Sequence, residues 1–546
     1  MKFRYVLFAI AAIGLLFSVS ISAQTYAVTN ARIVTVSGDT IENGTVVVRG
    51  GLIESVGANV KAPADAEVID GTGLTVYPGF IDADTNLGLQ APTPATSQQQ
   101  RGGGASGPQQ ASSESNSNYP EGLRPEEEAS NELKSGEPQF ETSRNAGFTT
   151  VLTVGRTGIF NGESAMIDLA GDSVSAMIVK SPVAEHISFS TIRGQYPGSL
   201  LGTFSALRQM MLDAQRLQEI QKLYAANPRG IKRPESDKSL EALIPIINRQ
   251  IPVVFNANSE REIVRALDLA KEFNLKAIIA GGQESWKQAG RLKAMDVPVL
   301  LSLNFPRRTA AASPDADPEP METLRLRAET PKGPARLAQA GVKFAFESDS
   351  AKNIGDFFTN AGKAVENGLS RDAAIRAMTL GSAEILGVNA QTGSIEPGKI
   401  ANLVVVKGDL FGKDRAVKQV FVDGKLFEVK EEPKSPANRP NGGGRAVPNV
   451  GGNYSITIDI PGQPLPGTLA FTQQGNLLTG TIQSSLGTAP IRDGKVTVEG
   501  FTFTATVEYG GSTVDINVKG TVTGNQITGT IDSPQGAVPF SGTKNP

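Results

Sequence analysis

Tyr77-Pro78-Gly79-Phe80-Ile81-Asp82-Ala83-Asp84-Thr85-Asn86 is the stretch on which the reading of this chain turns. An apolar strand runs into a polar end, and the pattern of the chain changes on either side of it. Upstream, from Tyr26 to Val76, short β-branched runs alternate with tight turns. Thr45-Val-Val-Val-Arg-Gly-Gly-Leu-Ile has the strand and glycine turn of a hairpin. Downstream, from Phe148 to Met378, strands and helices alternate. Thr149-Thr-Val-Leu-Thr-Val predicts a buried strand, and Ile263, Ala266, Leu267 and Ala270 give helical spacing across Glu260 to Phe273. Lys276-Ala-Ile-Ile-Ala and Val297-Pro-Val-Leu-Leu-Ser predict strands, with a helix between them over Trp286 to Met295. Ala335 to Ala340 predicts a helix, Val342-Lys-Phe-Ala-Phe a strand, and Ser370 an N-cap for a helix to Met378. Repeated βα units of this kind predict a parallel sheet, closed as a (β/α)8 barrel or open and doubly wound.

After Gly393 the pattern returns to β. Ile400-Ala-Asn-Leu-Val-Val-Val and Val417-Lys-Gln-Val-Phe-Val-Asp-Gly-Lys-Leu read as strands, the second turning at Asp423-Gly424. Residues 431–452 form a linker rich in Pro, Asn and Gly. Residues 453–546 read as all β. Gly475-Asn-Leu-Leu-Thr-Gly-Thr-Ile and Gly524-Asn-Gln-Ile-Thr-Gly-Thr-Ile are near copies, which predicts hairpins of one antiparallel sandwich or small barrel. Between the first barrel strand and Phe148, residues 90–137 are of low complexity. Gln98-Gln-Gln-Arg-Gly-Gly-Gly and Ser112-Ser-Glu-Ser-Asn-Ser-Asn hold too little apolar surface to fold alone, so the segment reads as an insertion.

The start of the chain reads as a signal peptide over residues 1–23. Lys2 and Arg4 precede an apolar run from Tyr5 to Phe17, then Ser18, Ser20, Ser22 and Ala23, with cleavage between Ala23 and Gln24. The run is short beside the ~20 residues of a spanning helix. A periplasmic or secreted location follows, with no membrane association after cleavage. The 546 residues carry a formal net charge of −3, which offers nothing to a nucleic acid. Cysteine is absent, which excludes disulfides, thiolate ligands and cysteine nucleophiles. There is no Gly-x-Ser-x-Gly elbow. The Gly102-Gly-Gly-Ala-Ser-Gly run lacks a following Lys-Ser/Thr and is not a phosphate loop.

Three stretches resemble the amidohydrolase superfamily, close to its imidazolonepropionase-like and prolidase-like members. They are Pro78-Gly-Phe-Ile-Asp, Gly341-Val-Lys-Phe-Ala-Phe-Glu-Ser-Asp-Ser, and Ala377-Met-Thr-Leu-Gly-Ser-Ala-Glu-Ile-Leu-Gly with Gly393-Ser-Ile-Glu-Pro-Gly-Lys-Ile-Ala-Asn-Leu-Val-Val-Val. The resemblance covers roughly Tyr26 to Val429, the insertion excepted. It implies an α/β fold: a distorted TIM (β/α)8 barrel over residues 77–391 and a small composite β-sandwich from residues 24–76 and 392–430, with the C-terminal antiparallel β domain added.

The resemblance also implies a metal site, and here the chain departs from the family. The family's first motif is Pro-Gly-Leu-Ile-Asp-x-His-x-His, and Asp84 and Asn86 stand at the two histidine positions. Pro252-Val-Val-Phe-Asn-Ala places Asn256 at the next ligand position, with Asn258 two residues on. Gly281 stands at the fourth. The single histidine of the chain, His186, matches none of them and reads as structural or surface-exposed. Lys180 reads as a solvated strand end rather than a Schiff-base lysine. Zinc is held by imidazole, thiolate or carboxylate, and it activates water at neutral pH. An amide oxygen is a weak ligand and glycine offers none. The expectation is therefore a degenerate site with no resident metal or other cofactor. Asp84, Asn86, Asn256 and Asn258 remain as substrate-binding groups and Asp349 as the surviving acid/base. Zinc or another divalent ion returns only if those positions hold metal after all.

Three functions follow as expectations. The first is a pseudoenzyme acting as a binding or partner subunit, in a homo- or hetero-oligomer with an active homologue. The second is a hydrolase of carbon–nitrogen bonds in a cyclic amide, dipeptide or similar molecule, with an atypical or absent metal. The third is an envelope scaffold in which Asp84 and Asn86 hold calcium.

Overall fold

The computed structural model describes residues 24–89, 119–120, 122–136, 138–191, 194, 196–308, 319–429, 448–458, 465–484, 487–497, 500–509, 512–533 and 536–545. Residues 1–23, read above as a signal peptide, most of the insertion and most of the linker lie outside the described residues. The chain divides into two compact units, Met1–Glu431 and Glu432–Pro546.

In the first unit, five strands run parallel in sequence order: Glu185–Ser188, Val253–Ala257, Ala277–Gly281, Val299–Ser302 and Phe344–Glu347. Phe80–Thr85 is parallel to Phe148–Thr153. Between these two groups lies one run, Phe160–Glu163 and Ala165–Asp168, broken at Ser164. Its first part is antiparallel to Glu185–Ser188 and its second part to Phe148–Thr153. Ser164 donates its N–H to the Ala184 carbonyl and accepts from the Val183 N–H. The remaining edges, Phe80–Thr85 and Phe344–Glu347, meet through the Asp82 carboxylate, which accepts from Ser348 N–H at 2.8 Å and from Ser348 Oγ.

The result is a ring of seven parallel strands and one antiparallel run, not the eight parallel strands expected. The chain leaves Phe148–Thr153 and pairs again at Phe160. That gap is too short for a crossover, which needs a dozen or more residues, so the strand returns antiparallel.

These strands are apolar on both faces, as a buried parallel sheet requires. Ile81, Ala83, Leu152, Ala184, Val254 and Leu300 share the inner cluster. Helices cover the outer faces. Glu260–Glu272 starts at Ser259, whose side chain accepts from the Glu262 N–H while the Glu262 carboxylate accepts in return from the Ser259 N–H. Ile263, Ala266, Leu267 and Ala270 are buried, as their spacing predicts. The long helix Leu200–Ala226 has no counterpart in the sequence reading. Its buried residues stop at Ala214, and the polar second half dilutes the pattern.

Both ends of this unit share one sheet. Leu74–Pro78 pairs with Leu403–Lys407, and the order continues through Tyr26–Ile33, Ile41–Arg49 and Leu52–Gly57 on one side and Ala416–Val422 and Lys425–Glu428 on the other. Glu67–Asp70 adds beside Tyr26–Ile33. It is a single eight-stranded mixed sheet folded round its own core of Val28, Ile33, Val46, Leu403 and Phe421, where two stacked sheets were expected. Asp423 and Gly424, both at positive φ, make the two-residue turn read from the sequence.

The insertion is shorter than its composition suggested. Leu123, Ala129 and Leu133 are buried in the barrel's outer core, and the Gly122 carbonyl accepts from the N–H groups of Ile159 and Phe160. A few apolar residues among acidic ones suffice because the barrel supplies the surface they bury against.

In the second unit, eight strand positions close a ring of antiparallel pairs, from Gly452–Ile458 through Leu465–Gln474 and Leu477–Ser484 to Gly536–Lys544. Closure leaves no edge. The near copies are two hairpins of this barrel, turning at Gly475-Asn476 and Gly524-Asn525 with glycine φ of 61° and 62°.

Candidate functional site

Active sites of such barrels sit at the C-terminal ends of the strands. There, beyond Thr153, a tight connection carries Gly155 and Arg156. A Cβ on Gly155 would lie 2.8 Å from the Asn161 carbonyl oxygen, so only glycine lets the connection pass this close. The Arg156 side chain, 27% exposed, reaches Asp84, which is buried. Nη2 lies 2.8 Å from Asp84 Oδ1, and Nη1 donates to Oδ2 at 3.3 Å. The closer contact is an ion pair without hydrogen-bond alignment, which leaves Arg156 Nε, Nη2 and Asp84 Oδ1 without a hydrogen-bond partner.

The same guanidinium acts on Glu347 and Asp349, the two carboxyls at the end of Phe344–Glu347. Burial alone would lower the Arg156 pKa. The carboxylates of Asp84, Glu347 and Asp349 more than offset this and raise it. Glu347 is buried with Oε2 unpartnered. Burial, then the charges of Asp84 and Asp349, push its carboxyl well above the usual range. Asp84 and Asp349 are also raised, burial being the first cause for each. Asp349 follows the strand at φ 66° and hydrogen-bonds Asn304.

His186 is not a surface residue. It is fully buried in Glu185–Ser188, two residues beyond the inward-facing Ala184, and so shares its face. Neither ring nitrogen has a partner. Burial first, then Arg156, brings its pKa down to about 3, so the ring is neutral.

The other sequence candidates are dispersed. Asn256 spends its amide on Asn161, donating to Oδ1 at 3.0 Å. Asn86 lies just past its strand, half-buried. Gly281 ends its strand at φ 81°, and a Cβ there would stand 2.5 Å from Asn258 Oδ1. The Asn258 amide therefore covers the place where a side chain at 281 would project. Lys180 lies outside the ring, and its Nζ donates to the Leu386 carbonyl at 3.1 Å. A cavity of about 980 Å³ opens at the opposite end, between the starts of the strands near Lys276, Val297 and Lys343. It touches none of the mouth residues.

The family's metal can be tested against this donor set. Among the described residues no group of three His, Cys, Asp or Glu side chains is placed to hold an ion. The two positions nearest to a ligand set are taken, Asp84 by a guanidinium and Gly281 by an amide. The residues present do not fit the group. Arg156 and Glu347 were missed from sequence. A basic residue just past the end of a barrel strand, in Thr153-Val-Gly-Arg, was the available signal.

Comparison with known proteins follows the same lines. Residues 319–427 match the amidohydrolase family. A crystal structure of an amidohydrolase from Thermotoga maritima MSB8 is 26% identical over 74% of this chain and 100% of its own, with a TM-score of 0.61. A dihydroorotase from Geotalea daltonii is 45% identical over 56 residues, 10% of this chain and 13% of the dihydroorotase, so the match spans only a small part of that enzyme. The fold shared across the whole length of the Thermotoga protein and the family match over the last barrel strand and its continuation place this chain in the amidohydrolase superfamily.

Proposed function

We propose that the chain is a non-hydrolysing amidohydrolase-fold protein, exported, that serves as a binding or partner subunit, with an active homologue as its natural companion. The observation that carries this reading is the Arg156–Asp84 pair at the mouth of the barrel. A fixed organic cation stands against the carboxylate that the family's motif would replace with a ligand. It neither activates water as a Lewis acid nor exchanges ligands. The covered position at Gly281 supports the same reading.

The test is the metal content of the purified, untagged full chain by plasma mass spectrometry, with turnover measured on amide, lactam and dipeptide substrates. The expected result is no stoichiometric zinc, nickel or manganese and no turnover above background. A bound ion per chain, together with turnover lost in Asp349→Asn, overturns the proposal.

One observation favours hydrolysis of a carbon–nitrogen bond instead. Glu347 and Asp349 stand two residues apart at one strand end, both with pKa values raised by burial, a pair of the kind that shares acid and base roles. This second reading falls if an Asp84→Asn/Asp349→Asn double variant and the wild type show equal rates across the substrate panel.

A further inference from the structure

We infer that the cavity at the end of the barrel opposite the mouth binds a free organic acid, its apolar body on the cavity floor and its anionic group at a cationic rim. The inference is independent of the proposed function, since no mouth residue lines this cavity.

The volume of about 980 Å³ lies at the upper end of the range of ~300–1,000 Å³ usual for ligand pockets. The floor is apolar. The short helix Leu380–Leu386 packs against this end of the barrel, with Ala383 and Leu386 in the inner cluster, and Ile278, Phe344 and Ile385 line the space between it and the strand starts. The rim is cationic. Arg249, Lys271, Lys276, Lys343 and Arg376 line it against only two acids, Asp296 and Glu384. Both acids are engaged: Asp296 accepts from Lys343 Nζ at 3.2 Å, and Glu384 from Arg376 Nη2 at 2.7 and 2.6 Å. Arg249 donates to the carbonyl and side-chain oxygens of Asn274, which are neutral, at 2.8 and 3.0 Å. Lys271 and Lys276 have no acidic partner among the described residues. A helix C-terminus offsets about half a charge within its last turn, which accounts for Lys271 at the end of Glu260–Glu272. It does not account for Lys276, which precedes a strand. Lys180 reaches the same rim, its Nζ donating to the Leu386 carbonyl at 3.1 Å next to Ile385. Burial first, then Lys276, lowers its pKa. Two ammonium groups therefore repel each other where no carboxylate of the protein pairs with either, and an anionic ligand relieves that repulsion.

The experiment titrates the full chain by calorimetry with octanoate, beside octan-1-ol and inorganic phosphate, each of which carries only one of the two features. One octanoate is expected per chain, with the alcohol and phosphate each bound at least roughly tenfold more weakly. Lys276 is exposed, so Lys276→Gln should fold normally; it should weaken octanoate by roughly tenfold and leave octan-1-ol unchanged. Lys276→Arg, which keeps the charge, should retain octanoate. Ala373→Leu fills the floor from a half-buried helix position and should weaken octanoate and octan-1-ol alike. Lys222→Gln, exposed on the long helix Leu200–Ala226, should change neither. Octanoate affinity unchanged in both Lys276→Gln and Ala373→Leu overturns the inference, as does phosphate bound as tightly as octanoate. Absence of saturable octanoate binding, beside cosedimentation with phosphatidylglycerol vesicles, places the rim on a lipid surface and overturns it too.

Discussion

Gly281→Ala tests why the mouth has no side chain at this ligand position. The substitution meets two obstacles. The backbone sits at φ 81°, in the left-handed region, where a Cβ costs an L-residue about 1–2 kcal/mol. The new Cβ would also lie 2.5 Å from Asn258 Oδ1, 2.9 Å from Cγ and 3.1 Å from Nδ2. Asn258 is exposed and its amide is a chain end, so it can swing aside at about 0.5–1.5 kcal/mol of rotamer strain. Alanine recovers about 0.4–1 kcal/mol by restricting the unfolded chain. The net expectation is a loss of about 2 kcal/mol, with the backbone contributing more than the clash. Urea denaturation followed by fluorescence reads it. Trp286 is the only tryptophan of the chain and lies in the turn Ser285–Gln288 that follows this strand. In an Asn258→Ala background the clash is gone and Gly281→Ala should cost only about 1 kcal/mol, so the two sites should couple by roughly 0.5–1.5 kcal/mol. Gly281→His should be no more stable than Gly281→Ala and should gain nothing from zinc. A Gly281→Ala protein as stable as wild type, or a Gly281→His protein whose melting temperature zinc raises, refutes the reasoning.

Three further outcomes are expected. Asp168 is buried, accepts from Thr150 Oγ1 at 2.7 Å and Asn402 Nδ2 at 2.9 Å, and burial takes its pKa up to about 7. The folded state thus holds a proton that the unfolded chain sheds near pH 3.8, so stability falls as pH rises from about 4 to about 7, by up to ~4 kcal/mol. Asp168→Asn keeps both acceptor contacts at Oδ1 and should remove that slope, being the more stable protein near pH 8. Glu185 is fully buried with both oxygens unpartnered, and burial, then Glu163, Glu126 and Glu127, raise its pKa well above the usual value. By the same sign its protonation stabilises the fold at low pH, so Glu185→Gln should shift the urea midpoint upward above neutral pH and leave it unchanged below about pH 4. Ser348→Ala removes the hydroxyl that joins the first and last barrel strands at Asp82 but keeps the backbone donor, and should cost about 1–2 kcal/mol at the urea midpoint.

Much of the fold is legible in the sequence because its signals are local. Glu260–Glu272, its Ser259 cap and the Asp423-Gly424 turn each depend on neighbours in sequence. The composite sheet is legible only through the family likeness, since Leu74–Pro78 and Leu403–Lys407 are distant in the chain. The antiparallel run Phe160–Asp168 was not read, although the short gap after Thr153 forbids a helix. What decided its direction was a connection length, and no composition or period carries that. The ligand positions were legible one at a time. Their companions were not, because Arg156 and Glu347 come to Asp84 from the ends of the two flanking strands, far off in sequence, and Asn258 covers Gly281 from another strand.

That difference sets what reversal would require. Putting histidines at Asp84, Asn86, Asn256 and Gly281 addresses only the positions that sequence reveals. The guanidinium would remain, and an incoming divalent ion would meet a like charge inside the barrel mouth, where solvent screens it little. Burial and Asp349 would still hold the Glu347 pKa above the usual range, and His186 would stay neutral beside Arg156. A site balanced by one tethered positive charge cannot accept a second without losing the first. Histidines therefore come second, and any return to a metal centre has to begin at Arg156.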